Sequence, residues 1–271
     1  MKLLRTSAEV REELTDARRQ GARIGLVPTM GALHEGHLSL IRAAREACDV
    51  VVVSLFVNPA QFGQAEDLER YPRDEDRDRR LAEEAGADLL FAPTVGEIYP
   101  DRFDTWVDPG KIGTYLEGAA RPGHFRGVAT VCTKLFGIVT PDLAFFGRKD
   151  AQQVAVVKQL VRDLALPVEI VACPTVRDAD GLAFSSRNQL LTSEQRATAL
   201  ALPRAIEAAL AAHRAGADAV RAARAVLDAA PGLAVDYVAI ADLDGPTLAA
   251  AVLVGSTRLI DNVRLSAEGE G

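Results

Sequence analysis

The chain has 271 residues, of which 48% are hydrophobic, 25% charged and 5% aromatic, and its formal net charge is −7. This length allows one large or two modest domains with a buried core, and the composition is that of an ordinary globular protein. The acidic balance argues against a nucleic-acid partner, because phosphate backbones are held by clustered Lys and Arg. A small anionic substrate remains compatible with this charge, since it needs only a few local positive groups.

The cysteines and the longest apolar runs bear on the compartment of the protein. Cys48, Cys132 and Cys173 are far apart and lie in or beside apolar stretches. An odd count without paired spacing predicts buried, reduced thiols and a cytoplasmic protein. The longest apolar runs have the length of strands, so we expect neither a membrane-spanning helix nor a membrane partner. The polar residues 266–271 are predicted to form a frayed tail.

Strand and helix patterns alternate through the first two thirds of the chain. Thr6 and Glu9 form a predicted capping box for a helix that ends near Gln20. The Val-rich run 50–57 is typical of a strand buried on both faces. Residues 93–127 are rich in Pro and Gly, and we expect mostly loops with short strands there. Further strands are predicted at 24–27, 88–91, 143–146 and 168–172, and further helices at 38–48, 73–84, 128–139 and 151–164.

This alternation predicts an α/β fold with a mostly parallel sheet and helices on both faces. The pattern changes after Pro174. Ala-rich helices are predicted there at 193–213 and 218–229, and strands at 235–241 and 251–261. We therefore expect a first domain at residues 1–174 and a smaller α+β domain at 175–271.

The segment between the first long strand and the next helix, residues 28–37, reads Pro-Thr-Met-Gly-Ala-Leu-His-Glu-Gly-His. Gly31 and Gly36 have the spacing of a P-loop, but His-Leu replaces its Lys and Ser/Thr. A helix N-terminus and the imidazoles of His34 and His37 still suit a phosphate group. The alternatives are a zinc pair, which lacks a third ligand at a recognisable spacing, and an incidental polar turn.

Two amides follow the Val-rich strand. Asn58 and Gln61 can both donate and accept hydrogen bonds, which suits a hydroxylated carboxylate or an amine. The alternative is an Asn-Pro turn with a solvated Gln. Their position after a buried parallel strand favours a binding role, because ligands collect at the carboxyl ends of such strands.

A charged junction follows the predicted strand 143–146. Gly147 permits a tight passage of the chain, and Lys149 supplies a point charge for phosphate. Asp150 could cap the next helix or hold a nucleotide hydroxyl, and Gln153 shares its helical face. A solvated charge cluster is the alternative interpretation.

The last such segment lies near the predicted domain boundary. Ser185, Ser186 and Arg187 place two hydroxyl groups and a guanidinium in succession, and together they could bind triphosphate oxygens. In isolation the same residues would be an ordinary loop. Their presence in a chain that also carries the segment 28–37 favours the phosphate interpretation.

Four segments resemble the pantothenate synthetase family of the HIGH-type nucleotidyltransferase superfamily, in order and spacing, across essentially the whole chain. They are Val27-Pro-Thr-Met-Gly-Ala-Leu-His-Glu-Gly-His37, Phe56-Val-Asn-Pro-Ala-Gln-Phe62, Arg121-Pro-Gly-His-Phe-Arg-Gly127 and Ser185-Ser-Arg-Asn188. The resemblance implies a Rossmann-like first domain, a carboxyl-terminal lid and a homodimer. It also implies that ATP, pantoate and β-alanine, with Mg2+, give pantothenate, AMP and pyrophosphate through a pantoyl-adenylate, in pantothenate and coenzyme A biosynthesis.

The resemblance also assigns residue roles by matching position. It makes His34, His37 and Lys149 the catalytic groups and assigns pantoate or β-alanine to Gln61, Gln153 and Asn58. The metal ligands are left unassigned, because Mg2+ favours phosphate oxygens and water over protein ligands. ATP contacts fall on Met30, Gly31, Ala32, Leu33, His34, Glu35, Gly36, His37, Gly147, Arg148, Lys149, Asp150, Val176, Phe184, Ser185, Ser186 and Arg187.

Two positions depart from the family pattern. Phe184 stands where Met is frequent, and we expect altered packing on the nucleotide with activity retained. Arg148 stands where an acidic or polar residue is common, at a predicted surface turn. A sister nucleotidyltransferase that keeps the nucleotide on its product, and a nucleotide-binding protein without activity, are the rival interpretations.

Overall fold

The structure, a computed structural model, describes residues 1–63, 68–69 and 71–265. The predicted tail at 266–271 lies outside these residues. The chain divides into two compact units. The first unit comprises Met1–Gly147 and Gln152–Cys173, and the second comprises Arg148–Ala151 and Pro174–Gly271.

The first unit is built on a parallel sheet of six strands within the described residues, in the order β1-β4-β3-β2-β5-β6. The predicted α/β class is confirmed. Strand β1 has only three residues and was not predicted. The strands are β1 (Lys2–Leu4), β2 (Ile24–Thr29), β3 (Val50–Leu55), β4 (Leu89–Phe91), β5 (Leu143–Gly147) and β6 (Glu169–Cys173).

Helices connect these strands. The capping box of the first helix is confirmed, since Thr6 Oγ1 accepts from Glu9 N at 3.2 Å and the Glu9 carboxylate accepts from Thr6 N at 2.8 Å. Two helices begin earlier than predicted, at Glu35 and at His124, and short helices replace the strands expected in 93–127. The helices are α1 (Ser7–Arg19), α2 (Glu35–Ala47), α3 (Glu75–Glu84), α4 (Val95–Ile98), α5 (Glu117–Ala120), α6 (His124–Val139) and α7 (Ala151–Asp163).

Both faces of this sheet are buried. Because side chains alternate along a strand, Leu26 and Val52 enter a core shared with residues of α1, α6 and α7. Val27 and Val53 enter a second core shared with residues of α2 and α3. The Val-rich composition of β3 follows from this double burial, as is typical of parallel strands.

Strand order places the ends of β2, β3 and β5 at the same edge of the sheet. The chain runs outward from β2 through β3 to β4 and then returns to add β5 on the other side of β2. In open parallel sheets, ligands bind at the carboxyl ends of the strands where the order reverses. The segments after β2, β3 and β5 carry three of the four motifs that predict ligand binding from the sequence.

The second unit contains an antiparallel sheet, β7 (Leu233–Asp242), β8 (Pro246–Val254) and β9 (Thr257–Arg264). Its apolar core joins residues of this sheet to residues of α9 and α10. Two predicted elements were wrong in their bounds. The helix 193–213 is interrupted after Ala199, and the strand 251–261 is split by a turn at Gly255, whose φ is +59°. The helices are α8 (Ser193–Ala199), α9 (Ala201–Arg214) and α10 (Ala219–Asp228).

The cysteines are buried, as predicted, and among the described residues they form no disulfide. Burial raises the pKa of the Cys132 thiol to about 12 and also raises that of Cys48. Over the described ranges, every helix is too short or too polar to cross a lipid bilayer.

Candidate active site

The loop between β2 and α2 is held by a buried carboxylate. Asp78 of α3 accepts hydrogen bonds from Ala32 N and Leu33 N, each at 2.8 Å. Gly31 and Ala32 have φ values of +90° and +52°, in the left-handed region that only Gly adopts without strain. Asp78 is 1% exposed, so its charge is stabilised mainly by these two N–H groups and by Arg77 at 3.6 Å.

This carboxylate was missed from the sequence. The charge-rich run 73–84 predicts a surface helix, and nothing in its local pattern marks one Asp as buried. The contact also limits the phosphate interpretation of the loop. The N–H groups of Ala32 and Leu33 already have acceptors, so an ATP contact at these two residues would use other atoms.

The two histidines of this loop lie against each other. His34 precedes the first turn of α2 with φ of −140°, and His37 lies within that turn. Their ring centroids are 4.1 Å apart, and His34 N donates to His37 Nδ1 at 3.4 Å. With Nδ1 as acceptor, a neutral His37 ring carries its proton on Nε2. His37 therefore offers a donor at Nε2 beside the helix N-terminus, an arrangement suited to an anionic oxygen.

The two amides after β3 are hydrogen-bonded to each other. Asn58 Nδ2 donates to Gln61 Oε1 at 2.9 Å and to Gly127 O at 3.2 Å. Asn58 Oδ1 accepts from Tyr99 O–H at 2.7 Å and from Ala60 N at 3.3 Å. Asn58 thus uses both of its donors and both acceptor positions within the protein. Asn58 is 1% exposed, and its four hydrogen bonds hold the surrounding segments together.

Gln61 is held differently. Its Oε1 faces Asn58, and its Nε2 donates to Met30 Sδ at 3.0 Å, the one acceptor for Nε2 within the described part of the chain. A thioether sulfur is a weak acceptor. The Gln61 side chain is therefore fixed with its N–H donors directed away from Asn58, where an oxygen of a ligand would be a better partner than sulfur.

The N-terminal end of α6 fixes the backbone of Gln61. His124 Nδ1 lies 2.9 Å from Gln61 O, and Arg121 Nη2 donates to the same oxygen at 3.4 Å. Arg121 Nη1 also lies 3.3 Å from His124 Nε2. With Arg121 as donor to Nε2, a neutral His124 carries its proton on Nδ1 and donates it to Gln61 O.

Close approach of two backbones makes this arrangement possible. A Cβ atom added to Gly127 would lie 2.3 Å from Ala60 O and 2.7 Å from Gln61 N. These distances are shorter than any van der Waals contact, and the neighbouring atoms belong to rigid backbone. Gly127 therefore allows α6 to pack directly on the turn that carries Gln61.

Burial of the Tyr99 phenol raises its pKa well above the usual range, so its hydroxyl stays protonated and can donate to Asn58. Its ring packs against Phe56, Phe103 and Trp106, with centroids 6.2, 5.0 and 6.3 Å away. Tyr99 was not selected from the sequence, because it lies in the Pro- and Gly-rich stretch without a motif of its own.

Two consecutive glutamines open α7. Gln153, the predicted substrate residue, is half-buried in the first turn. Its neighbour Gln152 is buried and serves the fold. Gln152 Nε2 donates to Ile112 O and Tyr115 O, each at 2.8 Å, and Gln152 Oε1 accepts from Glu117 N at 3.0 Å.

A cavity of about 330 Å³ opens beside β3 and β4 in the first unit. Of the predicted site residues, Met30 and Gly31 line it. Two of its acidic side chains serve the fold, since Asp78 holds the loop between β2 and α2 and Glu75 pairs with Arg5 at 2.5 Å. The remaining lining is largely apolar.

In the second unit, the charged junction after β5 is held by β9. Asn262 Nδ2 donates to Arg148 O and Lys149 O, each at 2.9 Å. Lys149 Nζ lies 3.7 Å from Asp150 Oδ1, and the lysine side chain is 19% exposed. Arg148 lies 3.8 Å from Asp244. Asn262 carries no recognisable sequence motif, yet it fixes the backbone from which Lys149 extends.

A short hairpin in the second unit carries the remaining predicted residues. Phe184 N donates to Val176 O at 3.0 Å, which brings these two residues together. Ser185 precedes a 3-10 turn and accepts from Arg187 N at 3.2 Å, and Arg187 is exposed. The buried Asp261 of β9 anchors the hairpin, with a bidentate contact to Arg177 at 2.6 and 2.9 Å.

The close approach of Gly127 gives a direct test of this packing. We expect Gly127→Ala to lower the free energy of unfolding by about 1–3 kcal/mol, because its methyl group forces α6 away from the Gln61 turn. Denaturant unfolding followed by circular dichroism measures the change.

Gly137 is the matched control, since it is exposed in the same helix and a Cβ there meets nothing within 4 Å. Gly137→Ala is expected to raise the free energy of unfolding by up to about 1 kcal/mol. Equal effects of the two substitutions would contradict the close approach at Gly127.

Known proteins resemble this chain along nearly its full length. A family model described as Pantoate-beta-alanine ligase matches residues 2–264. The pantothenate synthetase of Moorella thermoacetica is 54% identical over 279 residues, covering 98% of this chain and 99% of that protein. The pantothenate synthetase of Roseiflexus castenholzii is 57% identical over 258 residues, covering 90% and 93%.

Solved structures agree with the sequence relatives. Pantothenate synthetase from Thermus thermophilus superposes with a TM-score of 0.91 at 46% identity, covering 98% of this chain and 99% of that one. Pantoate-β-alanine ligase from Francisella tularensis, solved in complex with β-γ ATP and β-alanine, gives a TM-score of 0.83 at 34% identity and covers 98% of each chain. The fold, the ordered motifs and these relatives together show that the chain belongs to the pantoate-β-alanine ligase family.

Proposed function

We propose that this chain joins pantoate to β-alanine at the expense of ATP, releasing pantothenate, AMP and pyrophosphate. The full-length match to the ligase family carries this conclusion. The reaction is a step in the biosynthesis of pantothenate and coenzyme A. The geometry at Gln61 supports it, because an acid substrate with hydroxyl and carboxylate oxygens supplies stronger acceptors for Nε2 than the sulfur of Met30.

The first chemical step is the formation of a pantoyl-adenylate. A carboxylate oxygen of pantoate attacks the α-phosphorus of ATP, and the bond from that phosphorus to the pyrophosphate oxygen breaks. The carboxylate is ionised at neutral pH, so the step needs no strong base. What it needs is positioning of two anions and stabilisation of negative charge on the phosphates.

We assign the electrostatic roles to three side chains. His37 acts through Nε2, the nitrogen left as donor when Nδ1 accepts from His34 N. His34, packed against that ring, supports the same phosphate group. Lys149 supplies a full positive charge, and its backbone is fixed by Asn262.

The second step is attack by the β-alanine amine on the acyl carbon of the adenylate. The carbon–oxygen bond to AMP then breaks, and the amine loses a proton. The mixed anhydride is sensitive to water, and the role of residues 175–271 as a lid stays a prediction that would meet this need.

The contacts of Gln61 and Asn58 indicate different roles for these two residues in substrate binding. We propose that Gln61 Nε2 donates to a pantoate oxygen and that Asn58 acts by holding Gln61, since its own polar atoms are all engaged. Gln153 stays a proposed substrate contact. The other nucleotide contacts proposed are Met30, Gly31, Ala32, Leu33, Glu35, Gly36, Gly147, Arg148, Asp150, Val176, Phe184, Ser185, Ser186 and Arg187.

We also propose that Mg2+ enters with ATP as part of the substrate, because this ion favours phosphate oxygens and water over a cage of protein ligands. Within the described residues, no group of three or more His, Cys, Asp or Glu side chains is placed to hold a metal. A homodimer and a cytoplasmic location are further proposals, the second supported by the burial of the cysteines and by the lack of a disulfide within the described residues.

The reaction itself is tested by product analysis. We expect continuous formation of AMP, pyrophosphate and pantothenate in equal amounts from ATP and Mg2+ only when pantoate and β-alanine are both present. Pantoate alone should support exchange of labelled pyrophosphate into ATP, which reports the adenylate. Absence of AMP, or nucleotide retained on the product, would overturn the ligase assignment in favour of a sister nucleotidyltransferase.

The role of Lys149 is tested by substitution. Lys149→Ala should lower the rate of pantoate-dependent pyrophosphate exchange by about two or more orders of magnitude, because a positive charge beside the phosphates is lost. The fold should be unchanged, as judged by circular dichroism and thermal unfolding. Lys111→Ala, at an exposed lysine of the first unit, is the charge-matched control and should keep the wild-type rate. A Lys149→Ala rate close to that of the control would refute the assignment.

A further inference from the structure

A chain of hydrogen bonds leads from an aromatic cluster to the proposed pantoate residue. Tyr99 follows α4, and its hydroxyl donates to Asn58 Oδ1 at 2.7 Å, the shortest of the four bonds to that amide. Asn58 Nδ2 then donates to Gln61 Oε1. None of the motifs selected from the sequence includes Tyr99.

The direction of donation is fixed at each hydrogen bond between Tyr99, Asn58 and Gln61. A 180° flip of the Asn58 amide would turn its NH2 group toward Ala60 N–H and its oxygen toward Gly127 C=O, both repulsive contacts. The hydrogen bond from the Tyr99 hydroxyl, the shortest of the four, favours the same orientation of the Asn58 amide. Because Asn58 presents a donor to Gln61, the Gln61 amide must face it with Oε1, and the Gln61 N–H groups are directed to the other side.

We propose that Tyr99 is a positioning residue for the acid substrate: through Asn58 it holds Gln61 with Nε2 presented to an oxygen of pantoate. Tyr99 acts on binding without touching the substrate. The inference rests on the proposed function, in which Gln61 receives pantoate.

The ring and the hydroxyl of Tyr99 contact different groups, so the hydroxyl can be removed without changing the ring contacts. The ring packs against Phe56, Phe103 and Trp106, and Trp106 in turn stacks under Arg126 at 4.5 Å. Removal of the hydroxyl alone leaves these ring contacts in place. Tyr99→Phe therefore deletes the hydrogen bond that Tyr99 donates to Asn58 while it keeps the packing of the aromatic cluster.

The test compares Michaelis constants for the three substrates. Tyr99→Phe should raise the KM for pantoate about fivefold to tenfold, the effect of one lost hydrogen bond, and leave the KM values for ATP and β-alanine within about twofold. Phe103→Leu is the control for packing. It loosens the ring contact of Tyr99 without removing its hydroxyl, and should not discriminate between substrates.

A double-mutant cycle shows whether Tyr99 acts through Gln61. In a Gln61→Ala background, Tyr99→Phe should have no further effect on the KM for pantoate. A wild-type KM for pantoate in Tyr99→Phe, equal changes for all three substrates, or additive effects in the cycle would overturn the positioning role alone. A wild-type enzyme that forms no pantothenate would overturn the proposed function, and this inference with it.

Discussion

The buried amide of Asn58 is the interaction on which the proposed substrate site depends. It joins the end of β3 to the first turns of α6 through Gly127 O, and to the segment after α4 through Tyr99. Burial of an amide is unfavourable unless its hydrogen bonds are replaced, and here all four are replaced within the protein. The segments must therefore meet in one arrangement. Gly127 makes that arrangement sterically possible, since a side chain at this position would separate the two backbones.

A second buried polar group acts in the same way on the loop after β2. Asp78 binds two consecutive N–H groups and holds Gly31 and Ala32 in the left-handed region. The cost of that backbone strain is offset by charge-assisted hydrogen bonds to a carboxylate shielded from water. The two loops at this edge of the sheet are thus set by side chains from other parts of the chain. Their conformation follows from tertiary contacts more than from local propensity.

This explains which features the sequence could predict. The Val-rich run of β3 and the capping box of α1 are local signals, and both were confirmed. Strand β1 has three residues, and its pattern is too short to be recognised. The turn at Gly255 divides an apolar stretch that resembles one strand, because β8 is buried over most of its length and shows little alternation.

The same distinction holds at the candidate site. Residues 28–37 and Gln61 lie in motifs between a strand and a helix, so their place at the sheet edge could be predicted. Asp78 and Tyr99 carry no such signal. One lies in a charge-rich helix and the other in a Pro- and Gly-rich stretch, and their importance comes from burial and from partners 41 to 46 positions away along the chain. Contacts of this kind emerge only when the fold is known.

The orientation of the Gln61 amide can be measured most directly with Gln61→Glu. The substitution keeps the shape of the side chain and the oxygen that accepts from Asn58, but it replaces the outward N–H donors with a carboxylate oxygen. Isothermal titration with pantoate, in the presence of a saturating non-hydrolysable ATP analogue, reports the effect. We expect the affinity for pantoate to fall by about 100-fold or more, because a donor is lost and two negative charges are brought together. An affinity within about threefold of the wild-type value would contradict the proposal that Gln61 presents a hydrogen-bond donor to the acid substrate.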